Sequence, residues 1–429
     1  MDVDHLKPMR LGIISEMSGV PWGGSEELWA ALAQRALEKG ISVSICLSLR
    51  PRPNHKTLEA LESAGADIFC SSDSRLYARA RQFSRVVGVV HRGLGGYLRE
   101  HLSPLPAFFS TRPDVLLISE GLSIPSTEAL EAVRHYHAPR PYVVLSQANG
   151  GDIPATEHRR RTAAFYKAAH FALFVSESNL RATERQLTQR LVNARVVKNP
   201  VNLDCVDPVP WPEEESINFA SVARLDIAAK GQDILFEVLS DHRWRDRDWH
   251  LSLYGSGDHD VYLQELSTFF GLNDRVIFRG QVEDIREVWH TNHALVLPSR
   301  VEGTPLCMVE AMLCGRPVIG TAVSGISEWV REGRNGFLAE AATVDSYASA
   351  LERAWQRRAG WEDIGKQARK DALSLHDPSA GDTLLSILVE AAVHGKGPTP
   401  TFDSGHSRQP AVAGMDPGHS QRPAVQGPD

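Results

Sequence analysis

The chain has 429 residues, with 46 Lys and Arg against 53 Asp and Glu and a formal net charge of −7. That length exceeds one ordinary core and implies two domains, and an acidic balance with no basic footprint argues against nucleic acid as the main partner. No apolar run approaches the length of a membrane span. The start MDVDHLKPMRLGIIS lacks a secretory pattern. The five cysteines, Cys46, Cys70, Cys205, Cys307 and Cys314, are scattered without zinc-ligand spacing and read as small core residues of a reducing compartment. A cytoplasmic location is expected, with docking at a membrane surface left open and oligomeric state unreadable.

In chain order, Leu11 to Ile14 reads as a first buried strand. A loop from Gly19 to Gly24 follows, then a helix from about Ser25 to Lys39 that Gly40 ends as its C′ residue. Val43 to Leu47, Val115 to Ile118, Tyr142 to Leu145 and Phe171 to Val175 are further strands. The Pro-rich, acidic stretch from Pro208 to Glu215 marks the boundary between halves. Beyond it, strands are predicted at Asn218 to Val222, His250 to Tyr254, Arg275 to Phe278, Ala294 to Leu297 and Pro317 to Gly320. Helices start near Gln232, Asp260, Asp284, Pro305 and Ser327, and helical patterns run from Val344 to Arg358 and from Thr383 to Val393.

Short apolar strands alternating with amphipathic helices in both halves imply parallel sheets and an α/β class. From Lys396 onward Gly, Pro, Ser, His and Gln dominate. Asp403 to Ser407 returns as Asp416 to Ser420, a thirteen-residue repeat given twice. Such a segment has nothing to build a core with and reads as disordered. The predicted organisation is a first domain over 1–200 and a second over 201–375. A terminal helix over 376–395 packs back on the first domain, and 396–429 form a tail.

The most informative stretch is Pro298 to Gly315, PSRVEGTPLCMVEAMLCG. It joins the apolar strand at Ala294 to a helix for which Thr304 reads as N-cap and Pro305 as the first residue. Leu306, Val309 and Leu313 share one face with Glu310, so a carboxylate points inward where something polar must meet it. Glu302 lies in the loop at the carboxyl end of the strand, where open α/β sheets bind ligands. Helix-start acids alone would mean little, since they favour the macrodipole.

Other segments converge on the same edge. Arg224 and Lys230 stand six residues apart across one strand-to-helix loop and suit a diphosphate, one as a fork and one as a point charge. Gly255 and Gly257 allow close backbone approach of a ligand, and Arg279 with Gly280 forms a second turn along a cleft. In the first half, Gly23 and Gly24 precede a helix start and form a small anion-accepting turn, with Ser25 as N-cap and Glu26 and Glu27 on the dipole. Asp258 and Asp260 read as helix caps, and no metal is assigned. No G-x-S-x-G elbow is present.

These residues resemble the retaining glycosyltransferases of the GT-B fold, family 4. The E-x7-E motif is matched by Glu302 and Glu310, the G/A-R-x-K-G loop by Arg224, Lys230 and Gly231, and the G-x-G turn by Gly255 and Gly257. The asparagine-proline segment is matched by Asn199 and Pro200, and the G-G-x-x-E segment in part by Ser324 to Glu328. The resemblance is specific from about Val197 to Leu338 and looser before it. It implies two Rossmann-like domains facing a cleft, the first on the acceptor side. It also implies transfer from a nucleotide diphosphate sugar, UDP- or GDP-linked, to an acceptor hydroxyl with retention by front-face attack, and no further cofactor. Glu302, Arg224 and Lys230 would be catalytic. Glu310 would hold the ribose, the residues Gly303, Thr304, Pro305 and Leu306 would line the donor, and the amides after Gly303 would meet the phosphate and sugar. The histidine of the family's first domain is replaced in Ser146 to Asp152, where Gln147 or Asn149 stands as a hydrogen-bonding substitute. Alternatives from other classes are a nucleotide-sugar epimerase and a non-catalytic nucleotide-sugar-binding subunit.

Overall fold

A computed structural model describes residues 9–17, 22–47, 55–70, 104–122, 124, 130, 133 and 140–395. The predicted tail therefore lies outside the described residues. Strands of the first half are β1 (Arg10–Ser15), β2 (Ser42–Leu47), β3 (Asp67–Cys70), β4 (Val115–Glu120), β5 (Tyr142–Ser146), β6 (Phe171–Phe174) and β7 (Ala194–Val196). Those of the second are β8 (Ile217–Val222), β9 (Trp249–Tyr254), β10 (Val276–Gly280), β11 (Ala294–Leu297), β12 (Val318–Thr321) and β13 (Gly336–Ala339).

Helices in the first half are α1 (Gly24–Glu38), α2 (Lys56–Ser63), α3 (Leu105–Ser110), α4 (Thr156–Ala168) and α5 (Glu177–Leu187). The second half carries α6 (Ile227–Lys230), α7 (Gln232–Ser240), α8 (Asp260–Phe269), α9 (Ile285–Thr291), α10 (Leu306–Leu313), α11 (Ile326–Trp329), α12 (Val344–Gln356) and α13 (Trp361–Leu375). The last is α14 (Ala380–His394).

The strands form two sheets, ordered β3-β2-β1-β4-β5-β6-β7 and β10-β9-β8-β11-β12-β13. Every described strand pair is parallel. The central strands β4, β5 and β11 are largely apolar and buried throughout because both faces are covered. In β4, Val115 and Leu117 enter one core layer while Leu116 and Ile118 enter the other. In β11, Ala294 and Val296 face one layer and Leu295 and Leu297 the opposite one. The α/β class with two parallel sheets is what the alternation in the sequence implies. The pattern missed β3, β7 and β13, which have three or four residues each and too few alternations to read.

Strand order places two switch points. In the first sheet β1 lies between β2 and β4, and in the second β8 lies between β9 and β11, so chain connections diverge there and leave a crevice at the carboxyl ends. The last helix, α14, belongs to the first core. Leu384, Leu385 and Leu388 bury with Leu28, Trp29 and Leu32 of α1. Gly381 is close-packed against α1, where a Cβ would stand 2.8 Å from the Ala31 carbonyl oxygen. Asp382 accepts from Arg35 at 2.8 Å and Lys39 at 2.7 Å.

Candidate functional site

The loop after β8 and the loop after β11 meet at the second switch point. Asp226 caps the short α6, accepting from the amides of Ala228 and Ala229. Gly231 then takes φ 66°, and a Cβ there would lie 2.2 Å from the Pro298 carbonyl oxygen, so glycine is required for the two loops to touch. Arg300 stitches them further, donating to Asp233 at 2.7 and 2.8 Å.

This closure brings Lys230 to Glu302. The Lys230 Nζ donates to both carboxylate oxygens, at 2.7 and 2.8 Å, and Ser299 Oγ donates to one of them at 2.8 Å. Glu302 is 6% exposed. Arg224 stands in the same loop as Lys230, 3.4 Å from Asp226, with its buried Nε unpartnered among the described residues. Glu310 is buried on the inner face of α10, as its spacing predicts, and accepts from the Asn202 amide at 2.9 Å. Burial raises its pKa to about 7, the Asn202 hydrogen bond opposing and the charge of Glu27 adding.

Several expected details change. The N-cap of α10 is Pro305, and the helix begins at Leu306. Thr304 is not the cap because its hydroxyl donates to the Val175 carbonyl of the first domain at 2.8 Å. Gly255 and Gly257 face protein. A Cβ on the first would stand 2.1 Å from the Ala223 oxygen and one on the second 2.4 Å from the Leu225 oxygen, so these glycines seat the Arg224 loop. Arg279 is exposed and turns back along the sheet, its Nε 3.5 Å from Ser252 Oγ. Asp260 is the first residue of α8, where it accepts from Gln264, and is not the cap. Ser324 holds φ 45° where the family has glycine.

Across the cleft, α1 starts at Gly24 with Gly23 as N-cap, so Ser25 is the second helical residue. Its hydroxyl donates to Glu26 at 2.8 Å, and Ser15 Oγ and the Gly23 amide donate to the same carboxylate at 3.1 Å each. The anion-accepting turn is thus filled by a carboxylate of its own helix, and burial raises that carboxyl to about 7. Gly24 meets the second domain, where a Cβ would lie 3.1 Å from the Leu306 side chain. Asn149 is committed within the first domain, donating to Thr183 at 3.0 Å and Gln186 at 2.5 Å. Gln147, two positions earlier, is the residue of that loop at the cleft: a Cβ on Gly303 would lie 1.8 Å from its carbonyl oxygen. Glu328 completes the closure, accepting from the amides of Glu177 and Ser178 at the start of α5, at 3.3 and 2.7 Å. Sequence reasoning missed Ser299 and the latch role of Glu328, the latter because its partners are distant in the chain. Among the described residues no group of three or more His, Cys, Asp or Glu is arranged to hold a metal ion, and no helix is long and apolar enough to cross a membrane.

Residues 216–357 match the family model described as glycosyl transferases group 1. Curated relatives include an uncharacterized glycosyltransferase of Haemophilus influenzae, 30% identical over 139 residues, covering 32% of this chain and 39% of that protein. N-acetyl-alpha-D-glucosaminyl L-malate synthase of Bacillus anthracis is 29% identical over 154 residues, covering 36% and 38%. The chain thus spans about two-fifths or less of the length of these relatives. In fold it is similar to the HepE protein of Anabaena, solved with UDP, with a TM-score of 0.66 and 19% identity over 89% of this chain and 100% of that one. Sucrose-phosphate synthase of Thermosynechococcus elongatus is also similar, with a TM-score of 0.63 and 16% identity over 90% and 99%. The two parallel sheets are those of the GT-B fold that these neighbours share.

Proposed function

We propose that this chain, whose second domain belongs to the glycosyl transferases group 1 family, is a retaining glycosyltransferase that moves a sugar from a nucleotide diphosphate sugar to an acceptor hydroxyl. The observation that carries the reading is the ion pair of half-buried Lys230 with buried Glu302, with the Nε of Arg224, in the same loop as Lys230, unpartnered among the described residues. Two groups that a donor would engage separately are held on each other. An arriving diphosphate draws Lys230 from Glu302, and Arg224 supplies a second cation in fork geometry. Glu302, once released, accepts hydrogen bonds from hydroxyls of the transferred sugar. Glu310 takes the ribose hydroxyls, and the amides after Gly303 line the phosphate side.

The acceptor attacks from the face that the diphosphate leaves. The anomeric C–O bond breaks with its electron pair going to the phosphate oxygen, which then takes the acceptor proton, and the new C–O bond keeps the anomeric configuration. Stabilising the charge on the departing diphosphate is the protein's main contribution. Uridine or guanosine diphosphate sugars are the donors that this reading favours; the Anabaena neighbour has been solved with UDP and with UDP-glucose.

The test is proton NMR of the chain with a panel of UDP- and GDP-α-sugars, following the anomer first formed on transfer or on slow release to water. Retention predicts the α anomer first. A β anomer overturns the retaining reading, and binding of a nucleotide with turnover of no donor makes the chain a non-catalytic binder.

A further inference from the structure

The loop after β11 is held by more than its own domain. In the first domain, the turn of Val175 and Ser176 joins β6 to α5 and presents the first amides of that helix, which have no partner within it. Ser176 caps the helix from inside, accepting from the Asn179 amide. The second domain meets the turn at two other points. Thr304 Oγ1 donates to the Val175 carbonyl at 2.8 Å, and Glu328 accepts from the amides of Glu177 and Ser178. One contact donates and the other accepts, so the grip is matched in polarity. Val175, Ser176 and Thr304 are all buried. Thr304 is also fixed from behind. Its carbonyl accepts from Asn199 Nδ2 at 3.4 Å, between β7 and β8. A Cβ on Gly325 would stand 2.5 Å from Thr304 Oγ1 and 2.6 Å from the Gly303 oxygen, which accepts from the Gly325 amide at 2.8 Å. Gly303 and Thr304 are thus packed between the turn before α11 and the turn before α5.

We propose that Thr304 is a positioning residue. Through its bond to Val175, with Glu328 as the second point of the grip, it makes the seating of Glu302 and of the amides after Gly303 depend on contact between the domains. Its hydroxyl is committed to protein and acts on the donor only through the loop it fixes. When the domains part, the Val175 carbonyl and the α5 amides turn to water, and the loop loses its front support. The donor-holding groups Arg224, Lys230 and Glu310 all belong to the second domain, so donor binding survives that parting while transfer does not. The effect on transfer rests on the glycosyltransferase reading; the grip itself does not.

The test compares the full chain as wild type, Thr304→Val and Thr304→Ser. Amide hydrogen exchange is read at Glu177 and Ser178, and steady-state kinetics on a panel of UDP- and GDP-sugars. Valine keeps the shape and removes the hydroxyl. It should lower kcat about tenfold, the scale of a buried carbonyl left unbonded, with the donor KM nearly unchanged. It should also speed exchange at the two amides. Thr304 touches neither of them, so faster exchange there reports parting of the domains. Serine should restore most of both effects. Unchanged exchange and kcat in Thr304→Val, a serine variant as impaired as valine, or a raised KM with kcat intact would overturn the positioning role. Turnover of no donor by wild type, with exchange still set by the hydroxyl, would uphold the grip and count against the glycosyltransferase reading alone.

Discussion

The two sheets are built alike and end differently. Each is parallel with a switch point beside its first strand, β1 or β8. The second ends in cations, Arg224 and Lys230, matched to one buried carboxylate and partly open to water, with side chains 36% and 20% exposed. The first ends in buried carboxyls, Glu26 and Glu120, at 3% and 2%. One fold thus ends one sheet in cations and the other in buried carboxyls, and the difference lies in a few loop residues placed by the same topology.

The largest effect should come from removing the cation of the second edge. Lys230→Ala is expected to lower transfer by about 10²–10³-fold, the scale of one lost preorganised donor, with initial rates on a fixed donor as the check. Next is the contact between edges. Gly303→Ala places a Cβ 1.8 Å from the Gln147 oxygen, which only domain separation relieves. A loss near 10²-fold is expected, with a larger radius of gyration in X-ray scattering; an unchanged radius would show that the closure is not needed.

A buried glutamate on each edge gives a pH test. Glu310 and Glu26 are each raised from 4.5 to about 7, so the folded chain holds protons that the unfolded chain has lost. Stability therefore falls as pH rises from about 4.5 to about 7 and then levels, by roughly 3 kcal/mol for each group. Glu310→Gln should remove its own share of that slope in chemical denaturation across pH and leave the parts due to Glu26, Glu27 and Glu120, whose carboxyls burial also raises. The smallest effect is at the latch. Glu328→Ala should cost about 1 kcal/mol, as for a carboxylate lost from a helix N-terminus, read as a modest drop in melting temperature.

The second edge was legible in the sequence because its chemistry is local: Arg224 and Lys230 share a loop, and Glu302 and Glu310 share a loop-helix junction. The inward face of α10 followed from spacing alone. What was not legible depends on contacts between distant segments. The side chain of Thr304 is taken by Val175, the glycines at 255 and 257 by the backbone of another loop, and Asn149 by α5. Glu120 was invisible for the same reason: a glutamate ending a strand is ordinary until topology shows it buried with one oxygen unpartnered among the described residues.

The most direct measurement is the melting temperature of wild type and Lys230→Ala with UDP, GDP and ADP. At about 100 times its dissociation constant, a ligand adds roughly 2.7 kcal/mol. The account expects UDP or GDP to stabilise wild type by that amount and the variant by far less. Stabilisation by none of the three, or of both chains equally, would contradict a diphosphate site at Lys230 and Glu302.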